Sequence, residues 1–290
     1  EPERAGEALF DAWYFWGVRG HYREGLEWTN RLEPSRPRLT PRTAAKLDLV
    51  FGFLNWALGE YDAAIARFTS ARAVFERNQD PRGVATALFG LGSIYRDQDR
   101  SEEANTDLRV ALGIFEQLND NAWMAFCLSV LGAVARQTMR YDEAIELLER
   151  GLELTRSIPY PGGMSPLVDH LGDIARERGE FERALEYYRE ALPFWIELQD
   201  PHGAADSLAG FAAALEGLRQ PEGAARLLSA AAAAYDRLGF PRSRHSRALN
   251  DETLERLRIA LGATRFREVW DEGQAMPLDT AMRAALGYEP

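Results

Sequence analysis

The chain has 290 residues, of which 46% are hydrophobic and 27% are charged, so it can bury a sizeable core. Its formal net charge of -11 argues against binding nucleic acid through bulk charge, because phosphate contacts need a basic surface. No apolar run approaches the ~20 residues that a membrane-spanning helix requires, so we expect no membrane partner. The single cysteine, Cys127, excludes a disulfide within the chain and indicates a reducing, cytoplasmic setting. The chain begins at Glu1 without a methionine, and we therefore expect it to be part of a longer protein.

An internal repeat with a constant period runs through most of the chain. A large residue followed by a small one recurs in the same phase in five copies. The pairs are Phe51-Gly52, Leu91-Gly92, Leu131-Gly132, Leu171-Gly172 and Phe211-Ala212. Two further columns, which start at Ala64 and Phe68, keep the same period. A chain of this length usually contains about two domains. The repeat predicts one array of similar units instead.

Each copy predicts two helices joined by a tight turn. In one copy, apolar residues at helical spacing predict a helix over 83–98, and a second helix follows the turn at Asp99-Arg100. Asp80-Pro81 and Asp200-Pro201 are expected to begin helices, with aspartate as the N-cap and proline at the first helical position. The small columns allow neighbouring helices to approach closely, and the large column fills the space beside that contact.

The order of large residue, glycine, aromatic, alanine, large residue and alanine resembles the tetratricopeptide repeat (TPR). In one copy these positions are Leu91, Gly92, Tyr95, Ala104, Leu108 and Ala111. The resemblance implies an all-α fold, namely a right-handed TPR-like superhelical solenoid of helix-turn-helix repeats of about 40 residues. We divide the chain into a degenerate first repeat over 1–40, five repeats over 41–240 and a C-terminal helical capping segment over 241–290. Three short amphipathic stretches are expected in that segment.

The end of the chain carries a more specific resemblance. The runs that begin at Gly223, Leu257 and Phe266 are similar to the C-terminal part of bacterial signal-transduction ATPases with numerous domains, which include large LuxR-type regulators. The run that begins at Trp13 is similar to the start of their repeat array. The resemblance implies the regulatory part of a larger signal-transduction or transcription regulator, with an upstream NTPase or output domain as a partner. It implies no ATPase or DNA-binding residues in this chain.

The sequence contains no recognisable catalytic, cofactor or metal motif. No phosphate-binding loop is present, Lys46 is the only lysine, and the four histidines are not paired at metal-ligand spacing. Thr40-Pro41 is interpreted as the start of a repeat helix and not as part of a DNA-binding helix pair. Cys127 is expected to be a small packed residue. We therefore expect no enzyme activity, no cofactor, no metal and no direct contact with nucleic acid.

In this repeat family the first helix of each copy lines an inner, concave face. When the family pattern is carried over residue by residue, it predicts a groove that binds a protein or a peptide. The predicted groove residues are Phe53, Trp56, Phe89, Ser93, Arg96, Asp97, Ser129, Arg136, Gln137, Asp169, Asp173, Arg176 and Glu177.

One column of the predicted groove is basic. Arg96, Arg136 and Arg176 recur once per copy, in phase with the repeat. Because guanidinium groups bind carboxylates and phosphates through paired hydrogen bonds, the column favours an acidic peptide or another anionic ligand. The alternative is that these arginines pair with neighbouring carboxylates, such as Asp97 and Glu177, as a solvent-exposed ladder.

The first two copies are rich in aromatic residues. These residues are Trp13, Phe15, Trp16, Trp28, Phe53 and Trp56. One interpretation is a packed junction, either between the copies or with an upstream domain. The other is an aromatic surface that contacts a ligand.

The sequence therefore predicts a non-catalytic module for protein–protein interaction or ligand sensing. Two alternatives remain open. The chain could be a structural or oligomerisation arm, or it could hold a small-molecule-binding or enzymatic groove around Asp169, His170 and Asp173. The identity of the partner is not encoded in the fold, because groove chemistry varies on a constant scaffold.

Overall fold

The computed structural model describes residues 2–156, 164–238 and 244–287, which form fourteen α-helices and one 3-10 helix and contain no β-strand. The helices of the first part are α1 (Pro2–Arg19), α2 (Tyr22–Leu32), the 3-10 helix (Glu33–Arg38), α3 (Pro41–Ala57), α4 (Tyr61–Arg77), α5 (Pro81–Asp97), α6 (Ser101–Gln117) and α7 (Asn121–Gln137). Those of the second part are α8 (Tyr141–Thr155), α9 (Met164–Glu177), α10 (Phe181–Leu198), α11 (Pro201–Gly217), α12 (Pro221–Leu238), α13 (Arg244–Gln274) and α14 (Leu278–Leu286). The predicted all-α fold of repeated helix pairs is confirmed.

The chain divides into two compact units. Unit 1 is Glu1–Thr138 and contains α1 to α7, and unit 2 is Met139–Pro290 and contains α8 to α14. In unit 1 the two helices of a pair differ in burial. Helices α3, α5 and α7 are buried over most of their length, whereas α4 and α6 bury a narrow stripe. The first helices of unit 1 therefore form an inner layer and the second helices an outer one. In unit 2, α11 and α12 are both buried over most of their length.

The helix starts follow the predicted N-caps. The Asp80 side chain accepts a hydrogen bond from the amide of Gly83, and the Asp120 side chain accepts one from the amide of Trp123. Thr40 plays the same part at α3, so Thr40-Pro41 begins a repeat helix, as expected. Each cap satisfies an amide that the helix itself leaves without a partner.

Asp200 provides a test of the caps, because its carboxylate accepts hydrogen bonds from two amides, those of His202 (2.9 Å) and Gly203 (3.1 Å). We expect Asp200→Ala to lower the free energy of unfolding by about 1–2 kcal/mol. Asp200→Asn keeps an acceptor at the same place and should stay close to the wild type. Urea unfolding followed by circular dichroism measures both variants, and equal losses for alanine and asparagine would contradict the capping role.

The turns between helices share one backbone conformation. A residue with positive φ, between +52° and +79°, occupies the same place in each described turn between Gly59 and Arg219. These residues are Gly59, Gln79, Asp99, Asn119, Met139, Gly179, Gln199 and Arg219. The left-handed conformation reverses the chain within a short turn, so every helix of the array begins in the same register.

Aromatic members of the large column pack on glycines. The Phe68 ring lies so close to Gly90 that a β-carbon there would be 2.4 Å from the ring, and Gly52 faces the same ring. Tyr188 covers Gly210 and Gly172 in the same way in unit 2. Phe68 and Tyr188 are both fully buried, so these ring-on-glycine contacts are part of the two cores.

The C-terminal segment packs on the last helix pair of unit 2. Helix α13 contacts α12, where the Ser229 hydroxyl donates to the carbonyl of Trp270 (2.6 Å). Leu257 and Val269 of α13 and Met282 of α14 are buried in the core of unit 2. Two of the expected amphipathic stretches, over 254–261 and 266–270, lie within α13 and are separated only by a break in helical geometry at Gly262 (φ +72°).

Cys127 is buried in α7, as expected for a packed residue. Burial raises the pKa of its thiol, so it stays protonated at neutral pH. Among the helices that the structure describes, none is long and apolar enough to cross a membrane.

Candidate functional site

The predicted groove residues fall on the first helices of both units. In unit 1 they lie on α3, α5 and α7, and in unit 2 they lie on α9. The chemistry of the two sets differs, because the residues of unit 1 are aromatic, polar and charged, whereas those of unit 2 are all charged.

Aromatic rings form a continuous group on the first helices of unit 1. We call this group the aromatic cluster, and its members are Trp13, Tyr14, Phe53, Trp56, Phe89, Trp123 and Phe126. The Trp13 ring is stacked on Phe53 with the ring centroids 4.2 Å apart. Trp123 lies against Phe89 (5.3 Å), Phe126 (5.8 Å) and Phe53 (6.5 Å). The rings therefore support one another across four helices.

Members of the aromatic cluster differ in exposure. Phe53 and Phe89 are only 5% and 7% exposed, and they form the base of the cluster. Trp56, Trp123 and Phe126 are half-buried, so part of each ring faces solvent. On the repeat helices α3 and α7, these three rings provide the accessible surface of the aromatic cluster, and Trp13 and Tyr14 of α1 are half-buried as well.

The edge of the cluster carries a charged pair. The Trp56 indole donates from Nε1 to Oδ2 of Asp97 (2.7 Å). Arg96 donates to the other oxygen of the same carboxylate (2.7 Å). Arg96 is therefore paired with its neighbour in this structure, as the ladder interpretation proposed, while its side chain remains partly exposed at 20%. An incoming carboxylate that reaches Arg96 has to compete with Asp97.

Other predicted groove residues of unit 1 are buried. Ser93 is fully buried, and its hydroxyl donates to the carbonyl of Phe89 (2.8 Å). Ser129 and Arg136 are each 5% exposed. The side-chain oxygen of Gln137 is buried and has no hydrogen-bond partner among the described residues. The family pattern placed these four side chains in an open groove, whereas in this structure Ser93, Ser129 and Arg136 are buried and Gln137 is half-buried.

The remaining aromatic residues of the first two copies are divided between core and surface. Trp16 is buried against Val50 and Leu54. Phe15 and Trp28 are exposed at 56% and 47%, and neither belongs to the aromatic cluster. The aromatic richness of the N-terminal copies therefore has no single structural cause.

In unit 2, Asp169 joins three helices. Its carboxylate accepts hydrogen bonds from Nε1 of Trp195 on α10 (2.6 Å) and from the hydroxyl of Ser207 on α11 (2.7 Å). Burial raises the pKa of Asp169 well above its ordinary value, although the two hydrogen bonds oppose this shift. Asp169 is thus an interhelical link.

A second group joins α9 to α10. The Tyr188 hydroxyl donates to Asp173 (2.8 Å), and burial together with this carboxylate raises the pKa of Tyr188. Arg176 pairs with Glu177 (3.3 Å) and Asp173 (3.6 Å). Burial works to lower the pKa of Arg176, but Tyr188 and the two carboxylates outweigh it and raise the pKa, so the guanidinium keeps its charge. Arg176 is only 9% exposed, which differs from the solvent-exposed ladder of the alternative interpretation.

The groups proposed for an enzymatic groove are also part of this packing. His170 lies 3.8 Å from Asp173, which is a loose ion-pair distance. Within the described ranges, no three His, Cys, Asp or Glu side chains are arranged so that they could hold a metal ion. Asp169 and Asp173 both accept interhelical hydrogen bonds, so their positions have a structural explanation.

Sequence reasoning missed Trp123, although the repeat register contains a signal for it. Positions 43, 83 and 203 of the same column hold Thr43, Gly83 and Gly203, which are small, whereas position 123 holds a tryptophan. At Gly83 the ring of Phe75 packs directly on the backbone. At the corresponding place Trp123 is stacked on Phe115 instead (5.3 Å), and its ring extends into the aromatic cluster.

The comparisons with known proteins agree with this architecture. Residues 43–117 and residues 169–198 match the tetratricopeptide repeat family. A search of characterised proteins finds no significant sequence match.

Solved structures with similar TPR-like folds cover most of the chain. NprR in complex with its cognate peptide NprX has a TM-score of 0.67 at 15% identity, over 95% of this chain and 78% of NprR. A Rap protein complexed with competence and sporulation factor has a TM-score of 0.61 at 16% identity, over 86% and 67% of the two chains. The Rap conjugation gene regulator of plasmid pLS20 in complex with the Phr* peptide has a TM-score of 0.58 at 15% identity, over 99% of both chains. At these identities the likeness shows the fold alone.

Proposed function

We propose that this chain is a non-catalytic regulatory module that binds a peptide or a peptide-like segment of a protein on the first helices of unit 1. The fold supports this proposal, since two of the similar structures are complexes of regulators with peptides. The observation that carries it is the aromatic cluster, where Trp56, Trp123 and Phe126 each leave part of a ring accessible. Aromatic surfaces of this kind provide much of the binding energy at protein interfaces.

The edge of the cluster favours a ligand with an acidic side chain. Arg96 is half-buried, and its present partner, Asp97, is also bound by Trp56. If a ligand carboxylate replaces Asp97 at Arg96, Asp97 keeps its hydrogen bond from Trp56. The exchange therefore replaces one charge-assisted contact of Arg96 with another, while Asp97 keeps a hydrogen-bond donor in the complex.

The carboxylates of unit 2 support the absence of catalysis in this proposal. A general acid or base needs access to a substrate proton. Asp169 instead accepts hydrogen bonds from Trp195 and Ser207, and Asp173 accepts one from Tyr188. Helix packing therefore accounts for both carboxylates without a catalytic role.

The wider context is proposed on the sequence resemblance alone. We infer that the chain is the regulatory part of a larger bacterial signal-transduction or transcription regulator in the cytoplasm, with an NTPase or output domain as a partner. The runs that begin at Trp13 and Gly223 support this inference. The sequence of the full-length protein is the observation that tests it.

Selection from a random peptide library against the full chain tests the binding function. We expect selected peptides to contain acidic and aromatic residues, and their affinities follow from titration of fluorescein-labelled copies. Arg96→Gln should weaken binding at least tenfold. Arg72→Gln is the matched control, because Arg72 also pairs with a carboxylate on its own helix, Glu76, but lies on the outer helix α4.

Two outcomes would contradict the proposed function. One is that no peptide is enriched against the folded chain. The other is that Arg96→Gln and Arg72→Gln change the affinity of the selected peptides equally. If the free chain forms a stable oligomer through the same face, as detected first by light scattering, the oligomerisation arm is favoured instead.

A further inference from the structure

Helix α1 reaches beyond its neighbour in the array. Its Trp13 ring is stacked on Phe53 of α3, with an angle of 14° between the planes, and lies 6.4 Å from Trp123 of α7. The next residue, Tyr14, lies 6.5 Å from Phe126, also on α7. Helices α3 and α5 precede α7 in the array, so a first helix that packed only on the next copy would not touch α7. The aromatic pair of α1 therefore covers rings that belong to later repeats.

The rest of α1 is held by one buried ring and by polar contacts. The buried ring is Trp16, which packs on Val50 and Leu54 of α3. Near its start, Glu3 accepts hydrogen bonds from Thr40 (2.8 Å) and Thr43 (2.5 Å) at the beginning of α3. Glu7 pairs with Lys46 in the same region. The Lys46–Glu7 pair is partly exposed, and a pair of this kind contributes little. Trp16 therefore provides the main buried contact of α1.

Helix α1 is also among the least buried of the described helices. Only Gly6 and Trp16 of its eighteen residues are buried, whereas eleven residues of α3 are. Helices with few buried contacts open locally at a lower free energy than the core does. Release of α1 would uncover Phe53, which is now enclosed between Trp13 and Phe68 (4.9 Å).

We propose that α1 is an internal occupant of the peptide-binding face, and that a ligand with two adjacent aromatic side chains takes the place of Trp13 and Tyr14. The inference rests on the proposed function and specifies its ligand. The receiving rings are Phe53, Trp123 and Phe126, because these are the rings that the α1 pair contacts. In the free protein α1 competes with the ligand, so the ligand affinity is set partly by the release of α1.

A synthetic peptide with the sequence of residues 2–19 serves as the probe. The full chain is compared with the double variant Trp13→Ala, Tyr14→Ala, in which the internal aromatic pair is missing. We expect the labelled peptide to bind the double variant at least tenfold more tightly than the wild type. A peptide with the same two alanine substitutions should bind neither protein.

Further variants separate this role from simple packing. Phe15→Ala removes the exposed ring next to the pair, and it should leave the protein indistinguishable from the wild type in peptide binding. Adding Trp123→Ala to the double variant removes a receiving ring and should abolish the gain. Circular dichroism confirms that each variant is folded.

The proposal is overturned if the folded double variant binds the peptide no better than the wild type, or if the alanine peptide binds equally well. This result is distinguishable from failure of the proposed function. If library-selected peptides bind while the α1 peptide does not, only the internal occupant is excluded. If the α1 peptide binds while no external peptide is enriched, the occupancy of this face by α1 is supported and the proposed function is contradicted.

Discussion

The double variant Phe68→Leu, Gly90→Val is expected to be more stable than either single variant. Phe68→Leu alone leaves a cavity in the core of unit 1 and should cost about 1–2 kcal/mol. Gly90→Val alone should cost about 1–3 kcal/mol, because a β-carbon at position 90 would lie 2.4 Å from the Phe68 ring. In the double variant the smaller side chain at position 68 makes room for the larger one at position 90. We therefore expect a coupling free energy of about 1–3 kcal/mol between the two sites.

The expectation comes from the repeats themselves. Phe68 is followed in the next copy by Gly90, and Tyr188 is followed at the same spacing by Gly210. Where the column holds Leu108 instead, the residue at that spacing is Val130. The protein therefore already contains both solutions, an aromatic ring on glycine and a leucine with valine.

Urea unfolding of the four proteins in the cycle measures the coupling. Gly113→Val is the matched control, because Gly113 also lies within a helix, yet a β-carbon there would meet no atom within 4 Å. It should change the unfolding midpoint little, and in the direction of helix propensity. Additive losses in the double variant would show that Phe68 and Gly90 do not share one packing space.

Asp169→Asn is expected to stabilise unit 2 relative to the wild type, by an amount that increases as the pH rises. The pKa of Asp169 is raised in the folded state, mainly by burial, so folding favours the protonated carboxyl. The contribution of Asp169 is therefore fully present below the ordinary pKa of aspartate and is lost as the pH rises through the folded pKa. Asparagine has no charge to desolvate, while its amide can accept from Trp195 and donate to Ser207.

The measurement is the difference in the free energy of unfolding between the asparagine variant and the wild type, from pH 4 to pH 9. We expect this difference to grow with pH and then to become constant. Asp169→Ala separates charge from hydrogen bonding, because it leaves the buried donors of Trp195 and Ser207 without their acceptor. Relative to the asparagine variant, Asp169→Ala should cost about 1–3 kcal/mol at every pH. A difference between asparagine and wild type that does not depend on pH would refute the assignment.

The helix pairs could be predicted from the sequence because each one is encoded locally. Spacing of apolar residues, the N-caps at Asp80 and Asp200 and the small columns each act within a single copy of the repeat. The C-terminal segment was harder to predict. Its first two amphipathic stretches both belong to α13, although the helical geometry is interrupted between them at Gly262. Packing on α12 then decides how that helix lies.

The candidate site was predicted less well, because periodicity assigns a residue to a helix face but not to a depth. Ser93 and Ser129 share the register of groove residues, yet both are buried. The contact between Trp13 and Trp123 joins residues that are far apart in sequence, and it depends on how α1 lies across later repeats. Charge pairing was easier to predict, since Arg96 binds its sequence neighbour Asp97.

The left-handed turns have a consequence for how this architecture can change over time. At six of the described turns the positive φ is adopted by a residue other than glycine, for example Gln79 and Met139. Such a residue places its β-carbon against the following carbonyl at a cost of roughly 1–2 kcal/mol. The array is therefore less stable than it would be with unstrained residues at these turns. The turns lie outside the aromatic cluster. Sequence drift at the turns can adjust robustness while the ligand-selecting surface is left alone, so the two properties are free to evolve separately.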